Sequence, residues 1–98
     1  MNESVIKKYE GRIKKGIALL DKKLGRKKWT KKIDVSELDL SSPLVCILGE
    51  TFGRYGKGLT KLNIDYGQEY GFDTYDSDEY GLLTRLWIGA LYKLGIKG

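Results

Sequence analysis

The chain has 98 residues, 41% hydrophobic and 32% charged, with one cysteine, one proline and no histidine. That length and balance suit one folded domain and exclude a wholly disordered chain. The missing histidine removes Ser-His-Asp and Cys-His catalysis, and a lone Cys46 removes both an internal disulfide and a Cys/His zinc site.

From the N-terminus, Ile6, Tyr9, Ile13, Ile17, Leu20 and Leu24 recur at steps of three and four. This spacing predicts an amphipathic helix over about 4–24, with Lys8, Lys15 and Lys22 on the opposite side, Ser4 or Asn2 as its cap and Gly25 as its stop. Arg26 to Lys32 reads as a basic connector around Trp29. Ile33, Val35, Leu38 and Leu40 follow in a stretch too broken for a long helix, read as extended chain with one helical turn near Ser36-Glu37-Leu38.

Ser41-Ser42-Pro43 carries the signature of a helix start, because Ser caps and Pro fits a first turn whose N–H is unpaired anyway. It predicts a second helix over about 42–55, with Leu44, Val45, Leu48, Phe52 and Tyr55 on its apolar side. Gly56-Lys57-Gly58 is expected to break it, with short helical pieces after it near 59–62 and 66–70, the latter ended by Gly71. Phe72 is expected as a core anchor. An acidic loop over 73–78 leads to a last helix, about 77–94, capped by Asp76 or Ser77 and carrying Tyr80, Leu83, Trp87, Ala90, Leu91 and Leu94 at helical spacing. The predicted architecture is therefore all-α: one helical domain over 1–98, a small bundle of three main helices plus short helical turns. The expected core holds Ile13, Ile17, Leu20, Val45, Leu48, Phe52, Phe72, Leu83, Trp87 and Leu91.

No apolar run nears the roughly 20 residues that a bilayer span requires; the longest, Leu44 to Leu48, has five. No signal-peptide core follows Met1-Asn2-Glu3-Ser4, so the Asn2-Glu3-Ser4 sequon reads as accidental. With the single cysteine, this leads to the expectation of a cytoplasmic protein with no membrane partner.

Chemistry-bearing motifs are few. Cys46 lies between apolar Val45 and Ile47 and reads as a small buried thiol. Asp73, Asp76, Asp78 and Glu79 lack the alternate spacing and central glycine of a calcium loop, and helix capping explains them better. Residues 53–58 imitate a phosphate loop but have Thr51 where its leading glycine belongs. The spacing of Gly49 and Gly53 suggests the close approach of another helix. A helix-turn-helix over 43–70 would have too short a second helix to read bases. No catalytic residue, metal ligand or cofactor is expected, and the chain is read as a non-enzyme.

Charge is the feature with functional weight. Residues 1–32 hold 12 Lys/Arg against 3 Asp/Glu, while residues 33–98 hold 6 against 10. Lys22, Lys23, Arg26, Lys27, Lys28, Lys31 and Lys32 crowd into eleven residues, with Lys15 behind them on the first helix. Lysine meets phosphate as a point charge, so this cluster is the candidate surface for DNA or RNA, bound without sequence specificity. Trp29 among the cations would offer a stacking face if exposed, although a core position suits it better. The alternatives are a module that engages a host protein, or a salt-dependent homodimer in which the basic pole meets the acidic segment 65–79 of a second copy.

Ala18-Leu19-Leu20-Asp21, Trp29 with Ile33-Asp34, Leu38-Asp39-Leu40, Cys46-Ile47-Leu48-Gly49 with Phe52-Gly53 and Tyr55, Gly71-Phe72-Asp73, and Tyr80, Leu83-Thr84 and Trp87 follow one another in an order that resembles a family of short, uncharacterised proteins of actinobacteria and bacteriophages. The resemblance spans about Ile13 to Trp87. It implies a compact fold and a phage or prophage setting in a bacterial host cell, and it brings no activity and no functional residue. The lysine-rich first third departs from that pattern.

Overall fold

The computed structural model describes residues 3–96. Those residues form five α-helices and two 3-10 turns: α1 (Glu3–Leu24), α2 (Arg26–Thr30), α3 (Ile47–Phe52), α4 (Tyr55–Leu62), 3-10 turns at Gly67–Tyr70 and Ser77–Glu79, and α5 (Tyr80–Lys93). Among the described residues there is no strand, so the fold is all-α as the periodicity requires. Among the described residues no helix is long and apolar enough to cross a membrane.

The two long helices sit where the hydrophobic spacing puts them. In α1, Tyr9, Ile13, Gly16 and Leu20 form the buried stripe. In α5 it is Leu83, Trp87 and Leu91. The first helix begins at Glu3, so Ser4 lies inside it rather than capping it, and Asn2 lies outside the described residues. Gly25, at φ 92°, ends α1 and turns the chain directly into α2, so the basic connector is itself a short helix. Asp76 accepts from the Asp78 N–H and so caps the 3-10 turn that runs into α5.

The middle of the chain differs from its sequence pattern. The helix expected over 42–55 begins only at Ile47. Ser42 Oγ does accept from the N–H groups of Leu44 and Val45, as a cap would. The turn does not propagate, because the carbonyls it needs are drawn elsewhere: Pro43 accepts from Tyr55 N at 2.8 Å and Val45 from Asp39 N at 3.0 Å. Cys46 takes over as the cap, its Sγ accepting from Gly49 N at 3.3 Å. The same packing explains Gly49, where a Cβ would strike the backbone of Pro43 and Leu44. The neighbour that Gly49 admits is thus a turn of its own segment, not another helix, and Gly53 (φ 102°) serves only as the stop of α3.

Gly56 and Gly58 do not break the chain; both lie within α4. Gly58 is buried, and a Cβ there would press on the Leu48 and Phe52 side chains, so its absence lets α4 lie against α3. Ile33, Val35, Leu38 and Leu40 are all buried although none is helical. Their segment is pinned by Leu40 N donating to Thr84 Oγ1 at 3.0 Å. Ile17 and Phe52, expected in the core, are half-buried at its margin, and Val45, also expected there, is half-buried.

The centre of the molecule is the segment 67–72, wedged between α1 and α5. Phe72 stacks on Trp87 with ring centroids 6.0 Å apart, and Trp87 Nε1 donates to the Gly71 carbonyl at 2.5 Å. On the other side the wedge meets α1 at Gly16, where any side chain would overlap the Tyr70 carbonyl and the Phe72 ring. Gly71 (φ 73°) lies against Ile13 in the same way. Beyond the wedge, Tyr9 shares its hydroxyl with Thr74 Oγ1 and the Glu79 carboxylate.

Two glycines of the same helix therefore have opposite roles. Gly16→Ala is expected to cost about 2 kcal/mol or more through overpacking. Gly11→Ala, which meets nothing within 4 Å, should stabilise by about 0.5–1 kcal/mol. Urea unfolding of the two variants checks both signs.

Candidate nucleic-acid interface

The basic pole is built on the junction of α1 and α2. Gly25 N donates to the Asp21 carbonyl at 2.9 Å, and the Gly25 carbonyl accepts from Lys28 N and Trp29 N, so one glycine both closes α1 and opens α2. The angle between the two helices is held by the Asp21 side chain. Its Oδ1 accepts from Arg26 Nε at 2.9 Å and from Trp29 Nε1 at 2.8 Å, and its Oδ2 accepts from Arg26 Nη2 at 2.7 Å. The guanidinium and the indole N–H hold the Asp21 carboxyl below its ordinary value, the Arg26 bonds contributing most.

Trp29 is completely buried. Its ring belongs to the core, and it offers no face on which a base could stack. Thr30 beside it is also buried, its hydroxyl donating to the Arg26 carbonyl at 2.6 Å. The inner side of α2 is therefore a plug, and the outer side carries Arg26, Lys27 and Lys28.

All eight predicted cations, Lys15, Lys22, Lys23, Arg26, Lys27, Lys28, Lys31 and Lys32, are exposed. The structure divides them by what they already hold. Arg26 is committed to Asp21, and Lys32 Nζ donates to the Thr51 carbonyl at 3.4 Å. Among the described residues Arg26–Asp21 is the only ion pair, which leaves Lys15, Lys22, Lys23, Lys27, Lys28 and Lys31 without a carboxylate. Lys22 and Lys23 occupy the last turn of α1, where the helix dipole favours positive charge. Lys15 lies about 10 Å back along the axis.

Asp21, which holds the corner between Arg26 and Trp29, is the residue that the charge pattern did not single out. Its signal was present: it is the only Asp or Glu between Glu10 and Asp34. A single carboxylate inside so basic a run is a natural clamp. The other cations of α1 face different company. Lys8 Nζ sits 4.9 Å from the Tyr9 ring centroid and Arg12 Cζ 5.9 Å, at the end of the helix where Tyr9 also meets Glu79. That end is about 20 Å along the axis from Lys22. This exceeds the Debye length of about 8 Å at physiological salt, so Glu79 screens Lys22 little.

At its lower edge the pole touches α3. Glu50 Oε1 accepts from Asp34 N at 3.2 Å. Burial, helped by the nearby charges of Asp34 and Glu37, pushes the Glu50 carboxyl up to about 7. The other candidate chemistry is closed off. Cys46 is buried, and burial pushes its thiol up. Asp73 accepts from the Tyr80 hydroxyl at 2.5 Å and from Gln68 Nε2 at 3.2 Å, and together with burial it pushes the Tyr80 phenol up to about 12.

Asp21→Ala orphans the buried Trp29 N–H and should cost about 1–3 kcal/mol, while the exposed Arg26 bond adds little. Asp21→Asn keeps an acceptor and should cost less; urea unfolding of both variants checks the order. For Glu50, the folded chain keeps a proton that the unfolded chain releases, over the interval from 4.5 to about 7. Stability should therefore fall as pH rises through that interval, and Glu50→Gln should flatten the fall. Melting temperatures at about pH 5 and pH 8 read it out.

Compared with known proteins, the chain matches no family model, no curated protein and no solved structure.

Proposed function

We propose that this is a non-enzymatic accessory protein whose basic pole binds the phosphates of nucleic acid without reading sequence. One observation carries the proposal: six exposed lysines, five of them around the α1–α2 junction and Lys15 behind them on α1, have no carboxylate partner among the described residues. A helix corner locked by Asp21 and plugged by Trp29 supports a fixed array of charge, which a backbone of regularly spaced phosphates suits. Burial of the tryptophan leaves the surface with point charges and no stacking platform, which favours binding indifferent to base. A phage or prophage setting is part of the proposal and rests on the sequence resemblance alone.

Self-association through the acidic segment 65–79 is a weaker reading. Asp73 is turned toward Tyr80 and Gln68, and Glu79 toward Tyr9, which leaves Asp65, Glu69, Asp76 and Asp78 as the exposed acids of that segment.

For about five phosphate contacts, affinity for a short DNA duplex should fall by a few hundred-fold between about 50 and 200 mM salt. The double variant Lys27→Glu, Lys28→Glu should lower the slope of that dependence by about two. Fluorescence anisotropy with two duplexes of unrelated sequence should give the same affinity for both. No binding at low salt, or a strong preference for one sequence, would overturn the proposal.

A further inference from the structure

A second surface, which shares no residue with the basic pole although Lys14 adjoins Lys15, lies between α1 and α5. α5 is apolar around most of its circumference, yet only Leu83, Trp87 and Leu91 are fully buried. Leu82, Leu86, Ile88 and Ala90 are half-covered. A helix hydrophobic on all sides normally has neighbours on all sides. In this chain, α1, the wedge and the segment ending at Leu40, which donates to Thr84, supply only part of them. The gap is a groove of about 430 Å³ whose apolar lining is Ile13, Ile17, Leu86, Ala90 and Leu94. Gly89 opens its wall, since nothing lies within 4 Å of where a side chain would begin.

The charges around the groove are of mostly one sign. Lys14, Arg85 and Lys93 line it against a single Glu10, and none of these three cations has an ion-pair partner among the described residues. The lining runs over Glu10–Ile17 on α1 and Arg85–Leu94 on α5, about 10–13 Å in length. That is the span of apolar anchors at i, i+3 or i+4, and i+7 on one helix. A second copy of this chain would bring the same cations to a two-fold contact and be repelled. Nucleic acid would answer the charge but leave the apolar lining in water.

We infer that this groove receives an amphipathic helix of a second protein, one whose apolar stripe is flanked by Asp and Glu. The helix completes the layer that α5 lacks, and its acidic flanks pair with Lys14, Arg85 and Lys93. This surface is separate from the one proposed for nucleic acid, and either assignment can fail without the other.

The test uses the full chain and a synthetic helix of about 14 residues with Leu at the anchor positions and Glu beside them. A second peptide keeps the Leu stripe and replaces every Glu by Lys. The Glu peptide should bind at least roughly tenfold more tightly, and its titration should move the backbone amide signals of Ile17, Leu86, Gly89 and Ala90. The triple variant Lys14→Glu, Arg85→Glu, Lys93→Glu alters exposed side chains only and should invert the preference. The variant Lys27→Glu, Lys28→Glu should leave binding of the Glu peptide within about twofold of the parent chain, which separates the groove from the pole. Absence of saturable shifts at the groove residues with the Glu peptide would overturn the inference. So would equal affinity for both peptides, concentration-dependent shifts of the protein alone, or shifts produced by dodecanoate and not by the peptide.

Discussion

The structure depends on a close backbone approach at Gly16. The segment 67–72 enters the space between α1 and α5 only because α1 has no side chain there, and because Gly71 can take a positive φ against Ile13. Once in place, Phe72 presents its ring to Trp87, and Trp87 returns a hydrogen bond to the Gly71 carbonyl. An indole N–H and a carbonyl buried without partners would each cost on the order of 1–3 kcal/mol. The bond between them settles both. α1 thus meets both the wedge and α5 directly, and Phe72 and Gly71 tie the wedge to Trp87 of α5.

This arrangement also determines where charge is displayed. The wedge and the start of α5 bring the acids of 73–79 to the first half of α1, where Tyr9 meets Glu79 and lies beneath Lys8 and Arg12. The second half of α1 runs away from them into α2. The clamp at Asp21 consumes the one carboxylate available there. Lys22, Lys23, Lys27, Lys28 and Lys31 therefore crowd the α1–α2 corner with no ion-pair partner among the described residues. The groove between α1 and α5 arises from the same geometry. A wedge that holds two helices on one side leaves the opposite side of their contact open.

The sequence made some elements easy to read and others not. α1 and α5 were legible because each keeps a 3.6-residue stripe for several turns. Gly71 and Phe72 were legible as a stop and an anchor. The helix expected from Ser41-Ser42-Pro43 failed although its cap chemistry is real, since Ser42 does accept from Leu44 and Val45. Carbonyls of the first turn are claimed by Asp39 and Tyr55, and no local pattern announces bonds to residues outside the turn. Gly56 and Gly58 misled for a related reason. Glycine weakens an isolated helix, but Gly58 lets α4 rest on Leu48 and Phe52. The stretch 33–40 read as broken and still supplied four core residues, because burial there follows from how the chain wraps and not from any repeat.

The basic cluster, the all-helical character and the core role of Trp29 were determined by the sequence itself, since charge content, periodicity and side-chain size are local properties. Which cations stay free was decided only by the tertiary structure. Pairing depends on the few ångströms that separate Asp21 from Arg26 and Trp29, and Lys32 from the Thr51 carbonyl. The uncovered side of α5 was likewise invisible in one dimension. A stripe of apolar residues reveals that a helix wants neighbours, and only the packed chain reveals how many it has.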